Sequence, residues 1–230
     1  FLALNYYSLV SSNRIARERH ETFYEFADSR YADGSYFSPY VEQDFVFRFP
    51  KIAAIFKDIP IPTKEDWKVL REKVMKDGLY HRNRLAVAPN GSISYINETS
   101  ASLHPITQLV ENRQEKKVGS IFYPAPYLSN DTLPFYETAY NMDQRKIIDV
   151  YAVAQKHIDQ GMSLTLFMRS QLPEGLYEWK TKENTMLTTR DLNRLRNYAW
   201  RKGIKSLYYV RTYTEDDEFS SVNSCESCMI

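Results

Sequence analysis

Ser163-Leu-Thr-Leu-Phe-Met168 and Ser206-Leu-Tyr-Tyr-Val-Arg211 are the two segments that decide the fold. Both are short runs of mainly apolar or aromatic residues, which predicts two strands. Residues 188–202 lie between them and predict a helix, because Thr188 and Asp191 have the spacing of a capping box. A strand, a helix and a strand of these lengths form a βαβ unit, in which the two strands are normally parallel. The sequence therefore predicts an α/β fold.

The chain on the amino-terminal side of this unit predicts further helices. Apolar residues at helical spacing indicate an opening helix that runs toward residue 25. Thr63 and Asp66 form a second capping box, and the helix that starts there is expected to end near Gly78. Residues 84–88 predict a short strand, residues 95–142 an irregular stretch, and residues 143–160 a helix.

The composition is that of a globular chain with almost no net charge. The 230 residues are 43% hydrophobic and 26% charged, and 30 basic side chains stand against 29 acidic ones, so the net charge is +1. This balance provides no field that would concentrate nucleic acid or an acidic membrane, and we expect neither as a partner. Neither of the standard glycine-rich nucleotide-binding motifs occurs in the sequence.

Both cysteines, Cys225 and Cys228, lie near the end of the chain. A secreted disulfide-rich domain would distribute its thiols along the chain, so we expect a reducing compartment, the cytoplasm. Residues 213–230 are rich in Ser, Asp and Glu, which predicts a flexible tail. We therefore divide the chain into a domain of residues 1–212 and a tail of residues 213–230.

Cys225-Glu-Ser-Cys228 is a C-x-x-C motif on this tail. Two thiols at this spacing can close a disulfide and reopen it by thiol–disulfide exchange. Too few residues follow Cys228 for the motif to open a helix as it does in a thioredoxin-type site. We interpret the motif as a mobile redox-active dithiol. An accidental pair of exposed thiols and half of a zinc site completed by a partner are the alternatives.

Tyr208 and Tyr209 are adjacent in the second predicted strand. Neighbouring residues of a strand point to opposite faces, so the simplest interpretation is one core ring and one surface ring. The alternative is a relay in which each phenol loses an electron and a proton together. A relay needs rings in contact, and it therefore predicts that the strand is distorted at this pair.

A loop made of Pro89, Asn90, Gly91, Ser92 and Ile93 follows the short predicted strand. Gly91 permits a positive φ, and successive amides with a nearby hydroxyl can hold phosphate oxygens. On this interpretation the loop closes one end of a pocket and directs its amides and the Ser92 hydroxyl inward. The same residues also suit a plain β-turn.

The four histidines do not have the spacing of metal ligands, so we predict no metal site in this chain. We interpret His157, which falls within the predicted helix 143–160, as a surface or packing residue.

Several segments together resemble the large (alpha) subunit of ribonucleotide reductases. In chain order they are residues 80–105 with Ala88-Pro89 and Ser92-Ile-Ser-Tyr95, Met142-Asp-Gln-Arg-Lys-Ile-Ile-Asp149, Ile158-Asp-Gln-Gly-Met-Ser-Leu-Thr-Leu-Phe167, Thr189-Arg-Asp-Leu192, Ala199-Trp-Arg-Lys-Gly-Ile-Lys-Ser-Leu-Tyr-Tyr209 and the Cys-x-x-Cys tail. The resemblance covers the whole chain and points to the carboxyl-terminal portion of that subunit. The spacing of two residues between the tail thiols is similar to that of the class Ib form.

The resemblance implies an enzyme that reduces ribonucleoside diphosphates to deoxyribonucleoside diphosphates by radical chemistry. It implies the later part of a ten-stranded α/β barrel with surrounding helices and a flexible tail. Tyr208 and Tyr209 match the radical-transfer pair, and Pro89 to Ile93 match the loop that holds the substrate diphosphate. Cys225 and Cys228 match the tail dithiol that re-reduces the active site. The helix 188–202 matches a region where the small subunit docks.

The same resemblance implies the partners of this chain. They are the small (beta) subunit, which carries a di-iron or di-manganese tyrosyl radical, and a thioredoxin, glutaredoxin-like or redoxin reductant. No cofactor is expected on this segment, and the radical cysteine and the active-site disulfide pair would lie upstream of it. A stand-alone dithiol redox carrier and a non-catalytic module that docks a partner are the alternative functions.

Overall fold

The computed structural model describes residues 1–115 and 119–213, which belong to two compact units. One unit comprises Phe1–Ala86 with His157–Gln160, and the other comprises the described residues of Val87–Lys156 with those from Gly161 to Tyr213. The helices and strands in chain order are α1 (Leu2–Arg19), α2 (Ser38–Val41), α3 (Pro50–Ile55), α4 (Lys64–Asp77), α5 (Ser92–Ile96), β1 (Val110–Glu115), β2 (Gly119–Pro124), α6 (Gln144–Gln155), β3 (Leu164–Arg169), α7 (Thr189–Arg201) and β4 (Leu207–Tyr213).

The core of the first unit lies between α1 and α4. Trp67, Leu70 and Val74 recur along α4 at three- and four-residue spacing, and all three are buried. They pack with Leu9 of α1 and with the ring of Phe37 in one apolar cluster. The apolar periodicity of this helix therefore places it in the core, as its sequence predicts.

Both ends of α4 follow their local signals, whereas α1 is shorter than expected. The Thr63 hydroxyl accepts from the Asp66 amide (3.2 Å), and the Asp66 carboxylate accepts from the Thr63 amide (2.8 Å), so the capping box is confirmed. Gly78 ends the helix with a φ of 78°. The prediction that α1 reaches residue 25 is wrong. The helix ends at Arg19 because His20 adopts a left-handed backbone conformation, with a φ of 54°.

The predicted βαβ arrangement is confirmed in the second unit. β3 and β4 pair in parallel, α7 lies between them in the chain, and α6 packs against β3. The residues of β3 from Leu164 to Met168 are buried, as in a strand that is covered on both faces. Thr188 and Asp191 form the capping box that starts α7.

The helix predicted over residues 143–160 ends earlier in the structure, at Gln155, and the strand predicted over residues 84–88 does not form. The Asp159 carboxylate accepts from the backbone amides of Arg84 and Leu85, each at 2.8 Å, and the Gln160 amide donates to the Leu85 carbonyl. These bonds hold the chain after Gln155 beside residues 84–85 instead of continuing α6. Residues 84–88 contribute one isolated parallel bridge, between Val87 and Met162.

A hairpin that was not predicted forms within residues 95–142, the stretch predicted to be irregular. β1 and β2 pair antiparallel, with Val110 opposite Pro124 and Asn112 opposite Phe122. Most of β2 is exposed, so the strand lacks the apolar alternation that would have identified it.

The described residues confirm the α/β class but not the number of strands. They contain one two-stranded antiparallel sheet and one two-stranded parallel sheet, and these do not close into a barrel. The ten-stranded barrel stays a prediction, and so does the division of the chain into residues 1–212 and a tail of residues 213–230. Among the helices of the described ranges, none is long and apolar enough to cross a membrane.

Candidate functional site

The register of β3 and β4 changes at the tyrosine pair. Leu164 lies opposite Leu207 and Thr165 lies opposite Tyr209, so Tyr208 has no counterpart on β3. One extra residue in a strand is a β-bulge, which interrupts the alternation of side chains between the two faces. Consecutive residues can then turn the same way, which a regular strand does not allow.

The bulge leaves the two tyrosine rings in contact and accessible. The ring centroids of Tyr208 and Tyr209 are 4.0 Å apart with 52° between the ring planes. The residues are 47% and 44% exposed, so neither ring is a core residue. The simpler interpretation, one core ring and one surface ring, is therefore wrong. The contact and the strand distortion that a relay requires are both present.

The two phenols also interact through their hydroxyl groups. A hydrogen bond with Tyr209 raises the pKa of Tyr208, because it stabilises the protonated phenol, and desolvation adds to the effect. The Tyr208 phenol is therefore protonated near neutral pH, so it has a proton to lose together with an electron. Two hydrogen-bonded phenols in ring contact can pass both particles between them, and their exposure lets a partner protein reach them.

The loop of Pro89, Asn90, Gly91, Ser92 and Ile93 differs from the predicted turn. Gly91 has a φ of −100°, so its position does not use the left-handed conformation that the sequence analysis allowed for. Helix α5 begins at Ser92, which is exposed, and Ile93 is 60% exposed. Ser94 is buried instead, and its hydroxyl donates to the Gly91 carbonyl at 2.5 Å.

A cavity of about 640 Å³ lies beyond this loop, and the loop does not line it. Its wall starts at Ser94 and includes two carboxylates, three tyrosines and a histidine, namely Glu98, Glu111, Tyr95, Tyr123, Tyr127 and His104. Burial lowers the pKa of His104, so this ring is neutral near pH 7. The described residues of the wall include two carboxylates and no Lys or Arg, so this part of the wall does not favour a diphosphate. Because the loop does not line this cavity, the prediction that it closes a pocket for a diphosphate stays a prediction.

The remaining predicted sites are divided between described and undescribed residues. Cys225 and Cys228 lie outside the described residues, as does the tail that carries them. Helix α7 buries Leu195 and Ala199 and exposes 76% of Trp200, which leaves an aromatic surface on the helix predicted to dock a partner. Within the described ranges, no three His, Cys, Asp or Glu side chains are grouped as a metal site would require.

One arrangement in the first unit was missed by the sequence analysis. His157 lies beyond the end of α6, and its Nδ1 atom is 3.1 Å from the hydroxyl of Tyr40. The two residues are 117 positions apart, so no local pattern could have indicated the pair. The interpretation of His157 as a helix surface or packing residue is thus incomplete.

Comparison with known proteins identifies the family. The family model "Ribonucleotide reductase, barrel domain" matches residues 1–210. The ribonucleoside-diphosphate reductase subunit alpha of Bacillus subtilis is 41% identical over 230 residues, which are 100% of this chain and 30% of that protein. The corresponding subunit of Mycoplasma pneumoniae is 38% identical over 241 residues, 100% of this chain and 31% of its own length.

A solved structure, the class Id ribonucleotide reductase alpha subunit of Actinobacillus ureae, is 20% identical with a TM-score of 0.42. The match covers 78% of this chain and 37% of that one. The chain spans about 30% of the length of these two curated relatives. Since the family model covers nearly all of its residues, the chain belongs to the ribonucleotide reductase barrel-domain family.

Proposed function

We propose that this chain is the carboxyl-terminal part of the catalytic subunit of a ribonucleoside-diphosphate reductase, an oxidoreductase that makes deoxyribonucleoside diphosphates by radical chemistry. The tyrosine contact at the β4 bulge is the observation that carries the proposal, because a strand normally separates adjacent side chains. Similarity to reductase alpha subunits over the entire chain supports it.

In this proposal Tyr208 and Tyr209 transfer the radical. A small subunit with a di-iron or di-manganese tyrosyl radical docks near the pair and removes an electron from one phenol, whose proton leaves at the same time. The second phenol then gives an electron and a proton to the first, and the radical moves inward to the second phenol. The accessible tyrosine rings and the exposed Trp200 of α7 support the docking of a partner on the second unit.

Pro89 to Ile93 are the proposed contacts of the substrate diphosphate. The exposed Ser92 hydroxyl and the free geometry around Gly91, where an added Cβ would meet nothing within 4 Å, leave room for phosphate oxygens beside the backbone. The acidic wall of the neighbouring cavity disfavours the diphosphate there, so we place it on the solvent side of the loop.

Cys225 and Cys228 are the proposed dithiol that delivers electrons to the active site. Their disulfide would then be reduced by a thioredoxin, glutaredoxin-like or redoxin partner through thiol exchange. The two-residue spacing between them supports a class Ib enzyme acting in the cytoplasm. The four described strands would form part of the ten-stranded barrel of the complete subunit.

The test is removal of one phenolic oxygen at a time. Tyr208→Phe and Tyr209→Phe in the complete large subunit, assayed with its small subunit, should each lose nearly all deoxynucleotide formation, because phenylalanine is far harder to oxidise and has no phenolic proton. Folding stability, measured by urea unfolding, should change little because both rings are accessible.

Tyr24→Phe is the matched control, since Tyr24 is 82% exposed and lies in the other unit. It should retain full turnover. Stable Tyr208→Phe and Tyr209→Phe proteins with near-normal turnover would contradict the relay and remove the main support for the proposed function.

A further inference from the structure

A chain of aromatic rings leads from the surface of the first unit to a buried tyrosine. Tyr40 is 8% exposed and stacks on Trp67, with ring centroids 4.1 Å apart and 16° between the planes. The ring centroids of Trp67 and Tyr6 are 5.0 Å apart, and those of Tyr6 and Tyr7 are 5.2 Å apart. Tyr7 is 45% exposed. Because tyrosine and tryptophan are readily oxidised, these contacts form a continuous path for an electron.

The Tyr40 hydroxyl has a hydrogen-bond donor on one side and a histidine nitrogen within hydrogen-bond distance. Arg84, which can only donate, contacts Asn5 Oδ1 at 3.3 Å, and the Tyr36 hydroxyl donates to the same oxygen at 3.0 Å. The amide of Asn5 is therefore oriented with Nδ2 toward the Tyr40 hydroxyl, to which it donates at 3.1 Å. The Tyr40 hydroxyl also lies 3.1 Å from His157 Nδ1, so this ring nitrogen, when it carries no hydrogen, is a proton acceptor within hydrogen-bond distance of the phenol.

The surroundings of Tyr40 make this proton acceptor necessary for oxidation. Burial raises the pKa of Tyr40, so the phenol is protonated, although its hydrogen-bonding interactions with Tyr36 and Asn5 act in the opposite direction. Loss of an electron alone would leave a positive charge on a buried ring, which is costly. Transfer of the proton to His157 leaves Tyr40 neutral. The charge then resides on an imidazole that is only partly buried.

We propose that Tyr40 and His157 form a second redox site, which takes up oxidising equivalents that reach the surface at Tyr7. A one-electron oxidant, such as a metal complex or an organic radical, gains an electron from Tyr7. An electron from Tyr6 then replaces it, and an electron from Trp67 replaces the one that Tyr6 lost. Tyr40 finally loses the electron, its O–H bond breaks, and an N–H bond forms at His157 Nδ1. The site does not depend on the Tyr208–Tyr209 pair or on the proposed reductase activity.

The experiment generates the oxidant in place. The complete protein that contains this chain, without any other subunit and with ¹⁵N-labelled histidine, is mixed with tris(bipyridine)ruthenium(II) and persulfate, illuminated and frozen. Electron paramagnetic resonance should show a tyrosyl radical, and electron–nuclear double resonance should show its coupling to a histidine ¹⁵N. Tyr40→Phe should lose the coupled radical, whereas Tyr24→Phe should keep it.

Two further variants separate the proton and electron steps. His157→Gln keeps a hydrogen-bond acceptor but cannot take up the proton, so the Tyr40 radical should be lost. Trp67→Phe keeps a ring in the core but not an easily oxidised one, so the yield of the radical should fall. An undiminished signal of the histidine-coupled tyrosyl radical in Tyr40→Phe or His157→Gln would overturn the proposal. If those variants fail to fold, the absence of histidine coupling in the unaltered protein would overturn it equally.

Discussion

Asp191 shows how a single carboxylate can organise a helix start. It is 2% exposed and accepts from the indole of Trp179 at 2.8 Å, from Lys180 at 2.7 Å and from the hydroxyl of Thr188 at 2.6 Å. Burial would raise the pKa of Asp191. The hydrogen bonds from Lys180, Thr188 and Trp179 outweigh that effect and hold the pKa below its ordinary value. The carboxylate is therefore ionised, and it caps α7 while compensating a buried ammonium group.

Replacing this carboxylate should be severely destabilising. Asp191→Asn leaves the Lys180 ammonium, whose side chain is 6% exposed, without its countercharge. Breaking a buried ion pair from one side typically costs about 3–5 kcal/mol. Urea unfolding should show a loss of that size.

The exposed pair of Lys182 and Glu174, with side chains 78% and 62% exposed, provides the control for Asp191. Glu174→Gln should cost no more than about 1 kcal/mol, because surface ion pairs contribute little. Equal losses in the two variants would show that the burial of the Lys180–Asp191 pair is not what stabilises it.

At the scale of elements, the helix starts at Thr63 and Thr188 followed local chemistry, whereas the bulge in β4 did not. In the capping boxes at Thr63 and Thr188, the hydroxyl accepts from an amide of the first turn, and a carboxylate three residues later accepts from the amide of the cap residue. These signals need no distant partner. The bulge in β4, by contrast, is defined by the pairing of Thr165 with Tyr209, so it exists only when both strands are present.

The cap of α4 can be tested alone. Thr63→Ala removes the hydroxyl that accepts from the Asp66 amide, and loss of such a cap costs about 1 kcal/mol. Hydrogen exchange at the first turn of α4 should accelerate, while amides in the middle of the helix change less. Thr63→Ser keeps an oxygen at the same place and should retain nearly normal protection. If alanine and serine behave alike, the hydroxyl does not stabilise this helix.

At the scale of the whole molecule, ionised carboxylates link stability to pH. The pKa values of Asp66 and Asp191 lie below their ordinary value of 3.8, because each carboxylate accepts hydrogen bonds in the folded protein. A carboxyl group whose pKa is lowered by folding stabilises the fold fully above its unfolded pKa. That contribution is lost as the pH falls through the lower, folded value.

We therefore expect stability to decline below about pH 4 as these carboxylates are protonated. Circular dichroism during urea unfolding, repeated between neutral pH and pH 3, should show the midpoint falling at the acid end. Asp191→Asn, which has no proton to take up at this position, should start lower and fall less steeply. A variant that loses stability in parallel with the unaltered protein would contradict the assignment to Asp191.

Agreement between sequence and structure depended on how local the relevant contacts are. The cap at Thr188, the apolar run of β3 and the parallel pairing were predicted, because each follows from residues close in the chain or from the handedness of a βαβ unit. The end of α6 was missed because it depends on Asp159 binding the amides of Arg84 and Leu85, about 75 residues away.

The sequence by itself determined the reductase family resemblance, the βαβ unit and the condition that a tyrosine relay would have to meet. Only the tertiary structure decided that Tyr208 and Tyr209 meet it, because the register of β4 against β3 sets the direction of both rings. It also decided the partner of Tyr40. Asn5 and His157 are 35 and 117 residues from it in the chain, and packing alone orients the hydrogen bonds that join them.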